Sequence, residues 1–70
     1  MESIRITFKN PRRGEPITVE VGRNSKLEEA IRKAGYLPGG VVVLKGSRPV
    51  PHVERVEEGE YTLIEVASGG

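Results

Sequence analysis

The groups of this sequence that could carry chemistry are its own terminal carboxylate, one histidine and a few acidic side chains. The chain ends EVASGG, so the carboxylate stands on Gly69 and Gly70. An ordinary frayed terminus also consists of small residues, and two final glycines arise by chance in roughly one chain in 200. The diglycine ending therefore indicates a function only if the preceding elements of the fold expose it to a partner.

The side-chain candidates for catalysis are weak. His52 is the single histidine, and no serine is accompanied by a histidine and an acidic residue in a pattern typical of a nucleophilic triad. Its position in the loop that follows Pro49 and Pro51 favours a plain exposed ring over a catalytic or metal-binding one. The cluster Glu57, Glu58 and Glu60 is typical of a solvated turn, and no G-x-x-x-x-G-K-[ST] phosphate-binding loop occurs. We therefore expect a protein that is not an enzyme, without a metal or a bound cofactor.

Length and composition exclude several classes of protein. Seventy residues make one domain near the lower size limit for a single hydrophobic core, and the lack of cysteine excludes disulfides and thiolate sites. The net charge is only +1, and aromatic residues are few. This composition is not typical of a nucleic-acid-binding protein. The apolar runs are too short to cross a bilayer. We expect a cytoplasmic monomer with no membrane partner.

Two stretches of period-two alternation predict an antiparallel hairpin. In SIRITFKN, Ile4, Ile6 and Phe8 alternate with polar residues, and ITVEV repeats the pattern after the turn PRRGEP. The arginine pair Arg12 and Arg13 lies in this turn, where it is expected to keep the hairpin tip soluble.

The segment SKLEEAIRKAG changes to helical spacing. Ser25 is the predicted N-cap, with Glu28 as its capping-box partner three residues later, and Gly35 suits the left-handed position after the helix. The apolar residues fall at i, i+3, i+4 and i+7 and form one stripe that must lie on a sheet: Leu27, Ala30, Ile31 and Ala34.

The second half of the chain supplies the rest of that sheet. VVVLK predicts a largely buried strand, the prolines of GSRPVP restrict the next segment to a short edge strand, and YTLIEV is the last strand. The order β-β-α-β-(β)-β predicts an α+β protein of the β-grasp, ubiquitin-like class, with one helix packed across a mixed four- to five-stranded sheet. Residues 1-66 are the predicted domain and residues 67-70 a flexible C-terminal tail. In a β-grasp the last strand is central, so the tail is presented to solvent.

The stretch VVVLKGSRPVPHVERVEEGEYTLIEVASGG, with its Gly-x-Arg-Pro-Val-Pro corner and diglycine end, resembles the ubiquitin-like small modifiers and sulfur carriers. That family includes the small archaeal modifier proteins, the ubiquitin-related modifier and, more distantly, the small subunit of molybdopterin synthase and the thiamine-pathway sulfur carrier. The corner is most similar to the archaeal modifiers, whereas EEGE stands where the cofactor-synthesis branches often carry an acidic-Gly-Asp turn.

The resemblance implies a substrate and carrier. In the family, a partner similar to the ubiquitin-activating enzyme uses ATP to adenylate the terminal carboxylate, which then becomes a thiocarboxylate or is joined to a lysine. Carried over, Gly70 is the activated residue and Gly69 belongs to the thread that enters the enzyme. The further partners are a sulfurtransferase or target proteins, and sulfur transfer and protein conjugation both stay open. The alternative is a non-conjugating β-grasp module that docks on protein or RNA.

A partner surface is expected beside the tail. In YTLIEV, Thr62 separates the inward Tyr61 and Leu63, which leaves Ile64 outside together with Val66. In VVVLK, Lys45 as a marker of the outer face predicts Val43 outside and Val42 and Leu44 inside. The predicted partner surface is Val43, Ile64, Val66 and Ser68, and the candidate acceptor lysines are Lys9, Lys26, Lys33 and Lys45.

Overall fold

The computed structural model describes residues 2–12 and 14–66. Its strands are β1 (Ser3–Lys9), β2 (Ile17–Gly22), β3 (Val41–Lys45), β4 (Arg48–Val50) and β5 (Gly59–Glu65); its helix is α1 (Leu27–Lys33), and a 3-10 turn covers Pro38–Gly40. The five strands form one sheet in the order β2-β1-β5-β3-β4. The β1 and β5 strands are parallel, and the other neighbours are antiparallel. The predicted element order is confirmed, with β4 as the short edge strand.

The core lies between α1 and one face of the sheet. The alternation of β1 buries Ile6 and Phe8, and the alternation of β5 buries Tyr61 and Leu63. The helical stripe meets them, because a period of 3.6 residues brings its apolar positions to one side: Leu27, Ala30 and Ile31 are fully buried. Within the described residues, no helix is long and apolar enough to cross a membrane.

The start of α1 differs from the sequence-based prediction. Lys26, not Ser25, is the N-cap, and it makes no side-chain capping bond. The first amides of the helix are satisfied by the loop before β5 instead: the N–H of Leu27 donates to the carbonyl of Glu54 at 2.8 Å, and the N–H of Glu28 donates to that of His52 at 3.0 Å. Backbone groups distant in sequence thus replace the predicted capping box.

The end of α1 follows the prediction. Gly35 has a φ of +92°, the left-handed conformation that glycine adopts without steric cost. Its N–H donates to the carbonyl of Arg32 at 3.0 Å, and the N–H of Tyr36 donates to that of Ile31 at 3.1 Å. This pair of bonds is a Schellman motif, and it turns the chain sharply toward β3.

We predict that Gly35→Ala lowers the free energy of unfolding by about 1–2 kcal/mol, because a Cβ is strained at a left-handed residue. Gly39→Ala is the matched control, since its backbone has no positive φ and open space surrounds its Cα. That control is expected to be neutral or to stabilise by about 0.4–1 kcal/mol. Urea unfolding followed by circular dichroism measures both, and equal effects of the two substitutions would contradict the prediction.

Candidate functional site

The point where the chain leaves the sheet is the centre of the candidate site. The strand β5 is hydrogen-bonded to β1 on one side and to β3 on the other. After it, the N–H of Val66 donates to the carbonyl of Gly40 at 3.0 Å. The predicted tail, with Ser68, Gly69 and Gly70, lies outside the described residues. The described chain thus ends just after a strand that pairs with β1 over residues 59–62 and with β3 over residues 62–65.

An apolar group adjoins this end on the face of the sheet opposite α1. Val42 lies directly across from Ile64 in the β3–β5 pairing. Val42, Ile64 and Val66 are 39%, 40% and 45% exposed, and we call these three residues the outer patch. The predicted exposure of Ile64 and Val66 is confirmed.

The prediction for Val43 is wrong: its side chain is fully buried, and Val42 takes its place outside. Lys45 misled the assignment, because it shares the inner face of β3 with Val41 and Val43. Its stem runs over Tyr61, with the Nζ atom 5.2 Å from the ring centroid, and its ammonium group reaches the carboxylate of Glu57 at the rim. Three consecutive valines show no alternation of their own, so the sequence offered no better marker of the face.

A buried amide, which the sequence analysis missed, ties the exit point to the rest of the fold. Asn10 is 4% exposed and is the buried polar residue of the described core. Its Nδ2 atom donates to the hydroxyl of Tyr36 and to Oε1 of Glu65, both at 3.1 Å, and its Oδ1 atom accepts the N–H of Arg12 at 2.9 Å. An asparagine before a proline is typical of an ordinary turn, so its sequence position carried no signal of this role.

A cleft of about 300 Å³ lies toward the start of β5, on the α1 side of the sheet. Nζ of Lys45 donates to Oε1 of Glu57 at 2.7 Å, and the N–H of Glu57 donates to the hydroxyl of Tyr61 at 3.0 Å. The hydrogen bond from Lys45 and its charge lower the pKa of Glu57 below the ordinary glutamate range. The hydrogen bond to Glu57 likewise raises the pKa of Lys45 above the ordinary lysine value.

The remaining predicted residues are spread over the surface. His52 is half-buried rather than freely exposed, and its Nε2 atom lies 3.1 Å from the carbonyl of Val41. Arg12 is exposed at the hairpin turn, and Arg13 lies outside the described residues. Glu57, Glu58 and Glu60 are exposed, as predicted. Residues 2–12 and 14–66 contain no cluster of His, Asp and Glu that could hold a metal ion.

The candidate acceptor lysines differ in their partners. Nζ of Lys9 lies 3.2 Å from a carboxylate oxygen of Glu60, and Nζ of Lys33 donates to the backbone carbonyl of Glu20 at 2.8 Å. Lys45 is held by Glu57. Lys26 is exposed, and its ammonium group has neither an ion pair nor a hydrogen bond with the described residues.

Comparison with known proteins establishes the fold and nothing finer. No protein-family model matches this sequence, and a search of curated proteins finds no match. Among solved structures, one match is the solution structure of a computationally designed protein based on human erythrocytic ubiquitin as template. The match has a TM-score of 0.67 at 19% identity and covers 100% of this chain and 98% of that one. The chain has the ubiquitin-like β-grasp fold. At this identity, the likeness does not extend to activity.

We predict that Asn10→Ala lowers the free energy of unfolding by about 1–3 kcal/mol, because the substitution removes the three hydrogen bonds that the buried amide makes. Arg12→Ala is the control: Arg12 contributes only its backbone N–H to the cluster, so this exposed substitution is expected to stay within about 0.5 kcal/mol. Urea unfolding at neutral pH compares the two variants with the parent chain. Equal midpoints for both variants would show that the buried amide does not stabilise the fold.

The Lys45–Glu57 pair predicts a pH dependence of stability at both extremes. The lowered pKa of Glu57 makes the contribution of its carboxylate complete above the ordinary glutamate range and lost as the pH falls through the folded-state value. The raised pKa of Lys45 makes its contribution complete below the ordinary lysine value and lost as the pH rises through the folded-state value. The effect is small, since the pair is solvent-exposed.

Urea midpoints of the parent chain and of Glu57→Gln, measured between about pH 7 and about pH 3, test the acid side. The parent is expected to have the higher midpoint at neutral pH, with the difference disappearing in acid. Glu58→Gln is the control, because Glu58 is exposed and forms no ion pair within the described residues. A difference that stays constant with pH would refute the assignment.

Proposed function

We propose that this protein is a ubiquitin-like modifier or sulfur carrier whose Gly70 carboxylate is adenylated by an ATP-dependent activating enzyme. The observation that carries the proposal is the central position of β5: the strand that leads to the diglycine is held by β1 and β3 and ends beside the outer patch. This arrangement supports a terminus that is presented to a partner.

The rigidity of the last described residues supports this use of the terminus. The amide of Val66 is bonded to Gly40, and the side chain of Glu65 is bonded to the buried Asn10. A partner that holds the outer patch therefore receives the following residues from a fixed origin. Four residues span at most about 14 Å when extended, which is enough to enter a neighbouring active site but not to wander far from it.

The outer face of the sheet supports the outer patch as a docking surface. Across β1 and β2 this face is polar: Thr7 bonds to Thr18 through their hydroxyls at 3.0 Å, and Arg5 lies 3.8 Å from Glu20. On this face of the described sheet, the large exposed apolar side chains are those of the outer patch, on the β3–β5 side next to the exit of the chain. Scattered exposed hydrophobic residues are common on protein surfaces, but here they adjoin the residues that the partner must hold.

The chemistry proposed for Gly70 suits its residue type. A terminal carboxylate is ionised at neutral pH, since its reference pKa is about 3.5. It attacks the α-phosphorus of ATP and displaces pyrophosphate, which gives an acyl-adenylate. A sulfur donor or an amine then displaces AMP and leaves a thiocarboxylate or an amide. Glycines without Cβ atoms let the enzyme grip the backbone closely, and the catalytic groups and the ATP belong to that enzyme.

The test is ATP–pyrophosphate exchange with an extract of the native cells, with the purified chain as substrate. Removal of Gly69 and Gly70 is expected to abolish the exchange and to leave the thermal unfolding midpoint unchanged. Ile64→Asp is expected to raise the KM about tenfold or more, as loss of a central interface contact does. Val53→Asp is the matched control, because Val53 is 66% exposed in the loop before β5, apart from the outer patch.

Exchange that survives loss of the diglycine would refute the proposal. No exchange, together with binding of a protein or RNA that Ile64→Asp weakens, would indicate the docking module instead. Mass analysis of the chain from native cells separates the two products: sulfur in place of one Gly70 oxygen identifies a carrier, and an isopeptide on lysine identifies a modifier.

A further inference from the structure

The cleft at the start of β5 holds more positive charge than its own acidic side chains balance. Its lining includes the cations Lys45, Arg48 and Arg55 and the carboxylates of Glu54 and Glu57. Lys45 and Glu57 satisfy each other at 2.7 Å. The guanidinium groups of Arg48 and Arg55 form no hydrogen bond or ion pair with the described residues. Their N–H donors therefore stay available to a ligand.

The backbone that carries the two arginines is fixed on both sides of the cleft. Arg48 begins β4 and stands opposite Lys45 across a tight turn, in which Gly46 has a φ of +65°. Arg55 forms an antiparallel bridge with Lys26, just before α1. Backbone hydrogen bonds of 2.8 and 2.9 Å lie on either side of this bridge. Both guanidinium groups thus extend from backbone that a ligand does not have to order.

The bridge between Lys26 and Arg55 places two cations side by side. Side chains directly opposite in an antiparallel pair have Cβ atoms about 4.5–5.5 Å apart, and like charges there are destabilising. Both side chains are exposed, and neither has an ion pair with the described residues. Because an anion bound at the cleft would relieve this repulsion, the arrangement favours an anionic ligand.

The number of charges indicates which anion fits. Three cations and two carboxylates line the cleft, and Lys26 beside Arg55 raises the surplus to two positive charges. A phosphate monoester carries a charge of about −1.5 to −2 at neutral pH and presents three acceptor oxygens, whereas a carboxylate carries a single negative charge. The planar guanidinium group matches phosphate oxygens with two parallel N–H bonds. The charge and the donors of the cleft therefore fit a phosphate monoester.

The apolar part of the lining does not suit a nucleotide. Val50 is half-buried, and Tyr61 is 2% exposed beneath the stem of Lys45, so these two side chains offer no open ring face on which a base could stack. The volume of about 300 Å³ is at the lower end for pockets that enclose small ligands. The cleft thus has room for a phosphate group on a short stem, while the rest of the ligand stays outside.

The remaining carboxylate favours a peptide as the carrier of the phosphate. Glu54 has no ion pair with the described residues, so its oxygens can accept N–H groups of a ligand. A peptide backbone supplies such donors beside a phosphorylated side chain. The chain of RNA instead repeats a negative phosphate at every nucleotide, which Glu54 and Glu57 repel.

We propose that the cleft binds a phosphorylated serine or threonine side chain of a partner protein. The guanidinium groups of Arg48 and Arg55 donate to the phosphate oxygens. Lys26 adds to the positive field, and Glu54 accepts an N–H group of the partner's backbone. Binding is non-covalent and does not involve the diglycine end, so this site goes beyond the proposed function and does not depend on it.

The test is a titration of the isotope-labelled full chain with the capped peptide Gly-Gly-phosphoserine-Gly-Gly, followed by the NMR shifts of the backbone amides. Saturable shifts are expected at Arg48, Arg55 and Glu57, and none with the unphosphorylated peptide. A peptide with glutamate in place of phosphoserine is expected to bind at least about fivefold more weakly, because it carries one negative charge less. Inorganic phosphate is expected to bind at least about threefold more weakly, because it lacks the N–H group for Glu54.

Substitutions separate the cleft from the charge of the whole chain. Arg48→Gln and Arg55→Gln are each expected to weaken binding about tenfold, as loss of a hydrogen bond to a charged group does. Arg12→Gln is the matched control, because it removes the same charge at the exposed hairpin turn, outside the cleft. Its affinity is expected to stay within about twofold of the parent. Removal of Gly69 and Gly70 is expected to leave binding unchanged, which separates this test from the exchange assay.

Equal weakening by Arg12→Gln would show attraction by net charge alone and would overturn the proposal. Shifts that do not saturate, or that centre on residues outside the cleft, would overturn it as well. If inorganic phosphate binds as tightly as the phosphopeptide, the ligand is free phosphate and not a protein. If a single-stranded oligouridylate binds more tightly at the same amides, the ligand is RNA. Either result would overturn the assignment to a phosphorylated protein.

Discussion

The insertion of β5 between β1 and β3 is the constraint on which the rest of this structure depends. As the central strand, β5 pairs on both edges, with the β1–β2 hairpin on one side and β3 on the other. Its parallel register with β1, with Phe8 opposite Tyr61, then brings two aromatic rings within 6.0 Å in the core. The first half of β5 pairs with β1 and its second half with β3, and the exit of the chain is fixed by β3, by the bond from Val66 to Gly40 and by the bond from Asn10 to Glu65.

The two faces of the sheet differ in burial and in polarity. One face is covered by α1 and carries the core, and its open corner holds Lys45 and Glu57 above Tyr61. The other face has no helix over it in the described chain and is polar along β1 and β2. Only near β3 and β5 does it become apolar, at Val42, Ile64 and Val66. One face of the sheet thus carries the core, and the other leaves these three apolar side chains exposed beside the exit of the chain.

Contacts between residues distant in sequence stabilise the segments whose structure the local sequence predicts poorly. The helix start is capped by the carbonyls of His52 and Glu54, so the loop before β5 and α1 stabilise each other. Asn10 links the hairpin turn, the chain after α1 and the end of β5 through three hydrogen bonds. Buried polar groups must be satisfied, and a cluster that needs three segments in place favours one arrangement of them.

The sequence by itself determined the elements and their order, since period-two and period-3.6 patterns, Gly35 and the prolines of GSRPVP act on their immediate neighbours. It also determined that Ile64 lies outside, because the polar Thr62 marks the outer face of β5 and Ile64 shares that face. Only the tertiary structure decided that Val42 and not Val43 is exposed, that the loop caps α1 in place of Ser25, and that Asn10 is buried. A run of valines fits either face, and a lysine at a strand end can bury its stem on the inner face and still place its charge in water. Such choices are made by the partners across the fold, which the local sequence does not contain.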